Sequence, residues 1–288
     1  MGTFAVKWVN PSCEKHPGVE HHTFLSPSMN CEVGYNVYTP PGYVSTNKRY
    51  PVIYWLHGAA RGGESIGVEH SRILHGAIQA KQLPPIIMVF PCGGRGTLYY
   101  DSPDGTIMAE TATIKELIPL VDGNYRTIAD RGARAIEGFS MGGFGALKLG
   151  FKYPELFCSI VSGAPAIVDW ERASSLPVRK NYPRDFTKRM WDDDRGFFES
   201  DHAYAWLDRN SGVIRRELRI RIVVGDQDRL KGLIDRFHDR MEELGIPHEY
   251  EVLEGVGHNR VQVYDMAGLK GLRFHAASFA MMQDSGKS

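Results

Sequence analysis

Short apolar runs closed off by glycine or proline set the tightest limit on how this chain can fold. Val52-Ile53-Tyr54-Trp55-Leu56 leads straight into His57-Gly58, and Ile86 to Phe90 follows Pro84-Pro85 and stops at Pro91. Ile160-Val161 leads into Ser162-Gly163, and Ile220 to Val224 into Gly225. A strand that is apolar at nearly every position, rather than at every second one, has both faces covered, as parallel strands do. Glu249 to Leu253 alternates polar and apolar residues and predicts a less buried strand. Between these runs, Leu230, Leu233, Ile234, Phe237, Met241 and Leu244 recur at helical spacing and end at Gly245-Ile246-Pro247, a helix with a clear stop. Ile114, Leu117, Ile118 and Val121 give a second helix. Strand and helix alternating through short connections predict an α/β fold, a doubly wound and mostly parallel sheet.

The chain's 288 residues fit around one such sheet, and no linker, repeat or low-complexity tract interrupts them, so one domain over 1–288 is expected. The rhythm breaks once. From 165 to 211 no strand pattern is visible, and Trp170, Trp191, Phe197, Phe198 and Trp206 lie among Pro, Arg and Asp. An excursion of this length inside an α/β domain is expected to cover the functional site or form part of it. Basic and acidic residues balance at 34 each, leaving no cationic footprint for nucleic acid or an anionic membrane. No apolar run is long enough to span a bilayer. Met1 to Asn10 lacks the basic-then-apolar pattern of a secretory leader, so a cytoplasmic location is expected, with secretion left open. Cys13, Cys31, Cys92 and Cys158 show no metal-ligand spacing and read as four free thiols, with a Cys13–Cys31 disulfide as the alternative for an exported protein.

Gly138-Phe139-Ser140-Met141-Gly142 is a G-x-S-x-G elbow. Ser140 must sit on a sharp, strained turn between a strand (Ala133 to Glu137) and a helix (Phe144 to Lys152), and Gly138 and Gly142 remove side chains that would clash there. The helix N-terminus then aims amides at developing negative charge. A serine hydroxyl needs a base. In a fold with this elbow the acid and then the histidine follow on loops after later strands. Gly225-Asp226-Gln227-Asp228 offers two acids, and Asp228 is preferred because the chain needs a few residues to bring the carboxylate round; Asp226 is the alternative. Glu254-Gly255-Val256-Gly257-His258 follows the last strand and supplies the base, His258. His16, His21 and His22 are read as lying before the sheet, His70 and His75 in the helix after the first core strand, and His202, His238, His248 and His275 as solvated or packed. The backbone amides of Ala59 and Met141 are the candidate oxyanion hole, with His57 shaping the loop.

Glu116-Leu117-Ile118-Pro119, Val121-Asp122, Tyr125-Arg126-Thr127, Arg131 and Arg134-Ala135-Ile136 lead into the elbow, and Tyr153-Pro154-Glu155, Phe157 and Ser162-Gly163-Ala164 follow it. Together these resemble the esterase family of α/β-hydrolases that includes feruloyl esterases, acetyl xylan esterases, S-formylglutathione hydrolase (esterase D) and the mycolyltransferases of the antigen 85 group. The resemblance runs from about Tyr35 to His258 and is strongest to the feruloyl esterase branch. It implies an α/β-hydrolase fold, the triad Ser140, Asp228 and His258, and the hole at Ala59 and Met141. The S-formylglutathione hydrolase branch carries a Ser-Gly-Leu-Thr-Cys type loop where this chain has His57-Gly58-Ala59-Ala60-Arg61-Gly62-Gly63, which points away from glutathione thioesters.

The expected activity is therefore hydrolysis of a small-molecule or carbohydrate-linked carboxylic ester through an acyl-enzyme, with no metal and no organic cofactor. Tyr99, Tyr100, Trp170, Trp191 and Trp206 are the candidate substrate contacts, since flat aromatic rings suit phenyl or sugar faces and short acyl or hydroxycinnamoyl esters. An acyltransferase or a thioesterase using the same triad, and a non-catalytic binding module, are the rival readings. The sequence does not speak to oligomeric state.

Overall fold

In the computed structural model, which describes residues 6–11, 14–60, 62–175 and 186–285, eight strands form one sheet. They are β1 (Val19–Ser26), β2 (Cys31–Tyr38), β3 (Val52–Leu56), β4 (Ile87–Pro91), β5 (Arg134–Phe139), β6 (Ser159–Gly163), β7 (Arg219–Gly225) and β8 (Glu249–Leu253), in the spatial order β1-β2-β4-β3-β5-β6-β7-β8. From β4 to β8 every pair is parallel, and β2 joins β4 antiparallel. The sheet is thus mostly parallel, and its core strands match the apolar runs to within about two residues.

Period-two alternation distributes the strand side chains to two apolar layers. Val52, Tyr54 and Leu56 of β3 and Ile87 and Val89 of β4 enter one core. Ile53, Trp55, Met88 and Phe90 enter the other. On the second side lie α1 (His70–Gln79) and two C-terminal helices not foreseen from the sequence, whose Val263, Leu272 and Phe279 join that core. On the first side a helical stretch follows β4: α2 (Ala109–Thr111), a π-helical turn (Ala112–Leu117) and α3 (Ile118–Asn124). The elbow helix α4 (Met141–Lys152) is buried along nearly its whole length. Arg134 and Glu137, polar for a central strand, have partners. Arg134 pairs with Asp122 at 2.6 Å and donates to the Leu156 carbonyl, and Glu137 faces His275 at 3.5 Å.

The N-terminal hairpin is a correction. His21 and His22 lie in β1, inside the sheet, because β1 pairs antiparallel with β2 along its full length. β1 is the sheet edge, buried at only two of its eight positions, so it carries no continuous apolar run to betray it. β2 does carry the alternation, through buried Val33, Tyr35 and Val37.

Between β6 and β7 the described residues form short helices and no strand. These are α5 (Trp170–Ser174), α6 (Phe186–Trp191), α7 (Arg195–Ser200), α8 (Ala203–Arg209) and α9 (Ser211–Glu217). Then follow α10 (Lys231–Glu243), α11 (Arg260–Ala267) and α12 (Lys270–Ser285), of which α11 and α12 are the C-terminal pair already placed. Residues 176–185 of the excursion, Arg61 of the loop after β3, and Cys13 of the alternative disulfide lie outside the described residues. No helix among the described residues is long and apolar enough to cross a membrane.

Buried imidazoles give this fold an acid liability. Burial lowers His70 and His202 to about 4, from an ordinary 6.5. As pH falls through 6.5 the unfolded chain takes up these protons first. Their contribution is therefore whole above pH 6.5 and is lost between pH 6.5 and 4, by about 1.4 kcal/mol per pH unit for each histidine. His202 accepts from the Tyr204 amide at the start of α8 and donates to the Val168 carbonyl, and an asparagine retains a capping oxygen there. The urea midpoint is expected to fall between about pH 7.5 and about pH 4.5, and to fall less in His202→Asn. Equal falls in both proteins would exclude His202 as a source.

Candidate active site

The loops at the carboxyl ends of β3, β5, β7 and β8 converge, as ligand sites do in open α/β sheets. Ser140 follows β5 with φ 58 and ψ −115, a conformation that costs a non-glycine residue on the order of 1–3 kcal/mol. Three backbone bonds hold it: the Ser140 amide donates to Gly163, and the Phe144 and Ala166 amides donate to the Ser140 carbonyl. The elbow glycines are required by contact. A Cβ on Gly142 would stand 1.9 Å from the Leu56 carbonyl oxygen, and one on Gly138 2.3 Å from that of Gly142.

Ser140 Oγ lies 2.8 Å from His258 Nε2, and His258 Nδ1 lies 2.7 Å from Asp228 Oδ2. The Asp228 side chain is fully buried, and its other oxygen accepts from the Leu230 amide at 2.8 Å. Since a carboxylate can only accept, Nδ1 carries the imidazole proton, and Nε2 presents a lone pair to the hydroxyl. Asp226, two residues earlier, is exposed, its amide spent on the Leu253 carbonyl. The structure thus brings together Ser140, Asp228 and His258 and leaves Asp226 outside.

The loop after β3 abuts the serine: a Cβ on Gly58 would be 3.6 Å from that of Ser140. Among the described residues neither the Ala59 nor the Met141 amide has a backbone acceptor, leaving unpaired donors on the residues that follow Gly58 and Ser140. His57 braces the loop. Its Nδ1 donates to the Gly58 carbonyl at 2.7 Å, and its Nε2 accepts from the Gly93 amide at 2.9 Å. Burial lowers its pKa, which keeps it in the neutral form both bonds need.

Of the aromatic residues expected to touch substrate, three are corrected. Tyr99 and Tyr100 are wholly covered, and so is Trp191. Tyr99 donates to the His57 carbonyl and packs on Gly93 and Gly145, so it supports the loop from behind. Tyr100 stacks between Phe144 and Phe198 at 6.2 and 5.9 Å, with Trp191 edge-on at 5.7 Å. The excursion is thus chiefly a satellite core, since large rings gain most when closed off from water. Trp206 is half-buried beside Lys152, at the far end of α4, roughly 16 Å of helix from Ser140. Trp170 is partly exposed, packs on Trp191 and Phe198 with centroids 6.2 and 5.6 Å away, and lies four residues beyond Ala166, whose amide holds the Ser140 carbonyl.

An ion cluster beneath this core was not visible in the sequence. Lys148 of α4, fully buried, pairs with Glu110 and, at 2.7 Å, with Asp201, and donates to the Tyr99 carbonyl. Lys152 pairs with both acids at 2.6 Å. Burial pushes the Glu110 carboxyl up, but Lys148 and then Lys152 overcome this and hold it below its ordinary value. The cluster fastens the elbow helix to the excursion. Among the described residues one group, His238, Glu242 and His248, has metal-ligand spacing, and it lies on the far end of α10 from Asp228.

A mostly parallel sheet with a strained serine elbow after β5 and an acid and histidine on later loops is that of an α/β-hydrolase. The family model described as "Putative esterase" matches residues 26–264, and the chain belongs to that family. An esterase of Mycobacterium tuberculosis is 30% identical over an alignment of 270 residues that covers 85% of this chain and 56% of that protein. An endo-1,4-beta-xylanase/feruloyl esterase of Xylanibacter ruminicola is 34% identical over 154 residues, 49% of this chain and 21% of that protein. The chain therefore spans about half, or less, of the length of these curated relatives. A solved ferulic acid esterase superposes with a TM-score of 0.76 at 23% identity, covering 91% of this chain and 98% of its own, a likeness of fold.

Proposed function

We propose that this chain hydrolyses carboxylic esters through an acyl-enzyme on Ser140. The observation that carries the reading is the continuous hydrogen-bonded path from Ser140 Oγ through His258 to a buried Asp228. His258 Nε2 takes the hydroxyl proton as Oγ attacks the ester carbonyl. Asp228 keeps the imidazole in the required tautomer and stabilises the imidazolium once it forms. The tetrahedral oxyanion is received by the Ala59 and Met141 amides, each worth about 2.7–4 kcal/mol to the barrier. His258 then protonates the leaving alcohol, and water repeats the sequence on the acyl-enzyme.

Short acyl esters, acetyl to butyryl, or hydroxycinnamoyl esters are the proposed substrates. Support comes from the feruloyl esterase name of a relative that matches about half of this chain, and from the partly exposed Trp170, four residues beyond the Ala166 that holds the elbow. The fully buried rings of the excursion, Trp191 and Phe198, offer no face to a substrate. The test is kcat/KM across p-nitrophenyl esters from acetate to palmitate, with methyl ferulate and S-formylglutathione in parallel. The maximum is expected on a short or cinnamoyl ester; a maximum at dodecanoate or longer, with neither of those cleaved, would contradict the assignment. An added alcohol acceptor separates hydrolysis from transfer by the product formed.

A further inference from the structure

We propose that His238, Glu242 and His248 form a binding site for a divalent transition metal of the zinc class, separate from the serine site. His238 and Glu242 stand one helical turn apart on α10, and His248 comes back to them through the turn Gly245-Ile246-Pro247 at the entry to β8. Their ligand atoms all lie within 4.8 Å of one another. Two imidazole nitrogens and a carboxylate are a donor set suited to zinc, nickel or copper rather than to calcium or magnesium.

The two rings are already held in position. His248 Nδ1 donates to the Ile246 carbonyl at 2.8 Å, which leaves Nε2 as a lone-pair donor aimed at the site. A backbone carbonyl fixing the tautomer of a histidine in this way is the usual support of a metal ligand. The His238 ring stacks on Tyr250 with centroids 4.3 Å apart and planes 19° apart. Its Nδ1 lies 2.7 Å from His248 Nε2, so a single proton occupies the space between the rings.

A metal replaces that proton with little movement. Two nitrogens at about 2.1 Å from a tetrahedral ion stand about 3.4 Å apart, so the rings must part by about 0.7 Å. The proton leaves Nδ1 of His238 for Nε2 of the same ring, and both nitrogens facing the ion are then unprotonated. Glu242 is exposed, and its carboxylate lies 3.8 Å from His248 Nδ1, so its side chain must turn toward Nε2 to close on the ion; the remaining position is left to solvent. The electrostatics favour a cation. His238 and Glu242 lie in the last two turns of α10, where the helix dipole is negative, while the nearby Asp235 carboxylate is already paired with Lys231.

The position suggests a clamp. α10 begins three residues after Asp228, and β8 leads to the loop of His258, so a metal here would tie together the helix that follows the acid and the strand that precedes the base. Chelator-treated protein titrated with zinc chloride in a calorimeter is expected to take up one equivalent, with a rise in melting temperature. His238→Phe keeps a ring over Tyr250 but no ligand atom, and Glu242→Gln keeps shape but not charge. Each is expected to weaken zinc uptake at least about tenfold, with metal-free esterase turnover unchanged. No stoichiometric uptake by the unaltered protein, or undiminished uptake by both variants, would overturn the site.

Discussion

Ser140→Ala is expected to remain folded and to lose ester turnover by about six orders of magnitude. The fold should tolerate the change because the elbow is held by backbone bonds from Phe144 and Ala166 and to Gly163, none of which uses the hydroxyl. The catalytic loss is near-total because, among the described residues, Ser140 Oγ is the hydroxyl hydrogen-bonded to His258 Nε2. A residual acceleration of about 10³ over water should persist, since the proposed hole at the Ala59 and Met141 amides would be left in place. Turnover on p-nitrophenyl acetate, read beside the circular dichroism and melting temperature of the same preparation, checks both halves. A folded variant with near-normal turnover would remove Ser140 from the mechanism.

Asp228→Asn should cost about 10⁴ in turnover, while Asp226→Asn leaves it near that of the unaltered chain. Asparagine keeps one oxygen for the Leu230 amide, so the loop after β7 is retained. The other position becomes an NH₂ group, which donates to His258 Nδ1. The imidazole then carries its proton on Nε2, facing Ser140, and cannot accept another from the hydroxyl. Asp226 is exposed and has no such contact. The reverse ranking of the two variants would place the acid two residues earlier. Because the predicted defect is one of tautomer, it should appear in kcat at unchanged melting temperature.

The parts legible in the sequence are those where chemistry permits few residue types. Gly138 and Gly142 are dictated by carbonyls that leave no room for a Cβ, so the elbow could be found by spelling alone. β3 and β4 were legible because burial on both faces forces continuous apolar runs. β1 was not, since an edge strand with only two of its eight residues buried can be spelled Val-Glu-His-His-Thr. The aromatic excursion misled for a related reason. Tryptophan and tyrosine serve a small core and a binding surface equally well, and only the three-dimensional packing reveals that Tyr100 and Trp191 have no face left open. Lys148, Glu110 and Asp201 come from three separate segments, and each reads as a surface charge until the fold brings them together. The trio His238, Glu242 and His248 held a partial signal, a His and a Glu four residues apart on a predicted helix, but the third member depends on how tightly the turn at Gly245 reverses the chain.

Covalent labelling tests the central claim, that Ser140 is the nucleophile activated by His258 and Asp228. The chain is incubated with a fluorophosphonate, and the adduct is followed by intact mass and located by peptide mapping. The account predicts a single adduct on Ser140, absent from Ser140→Ala and formed far more slowly by Asp228→Asn. An adduct on any other residue, or an active esterase that takes up no fluorophosphonate, would contradict it.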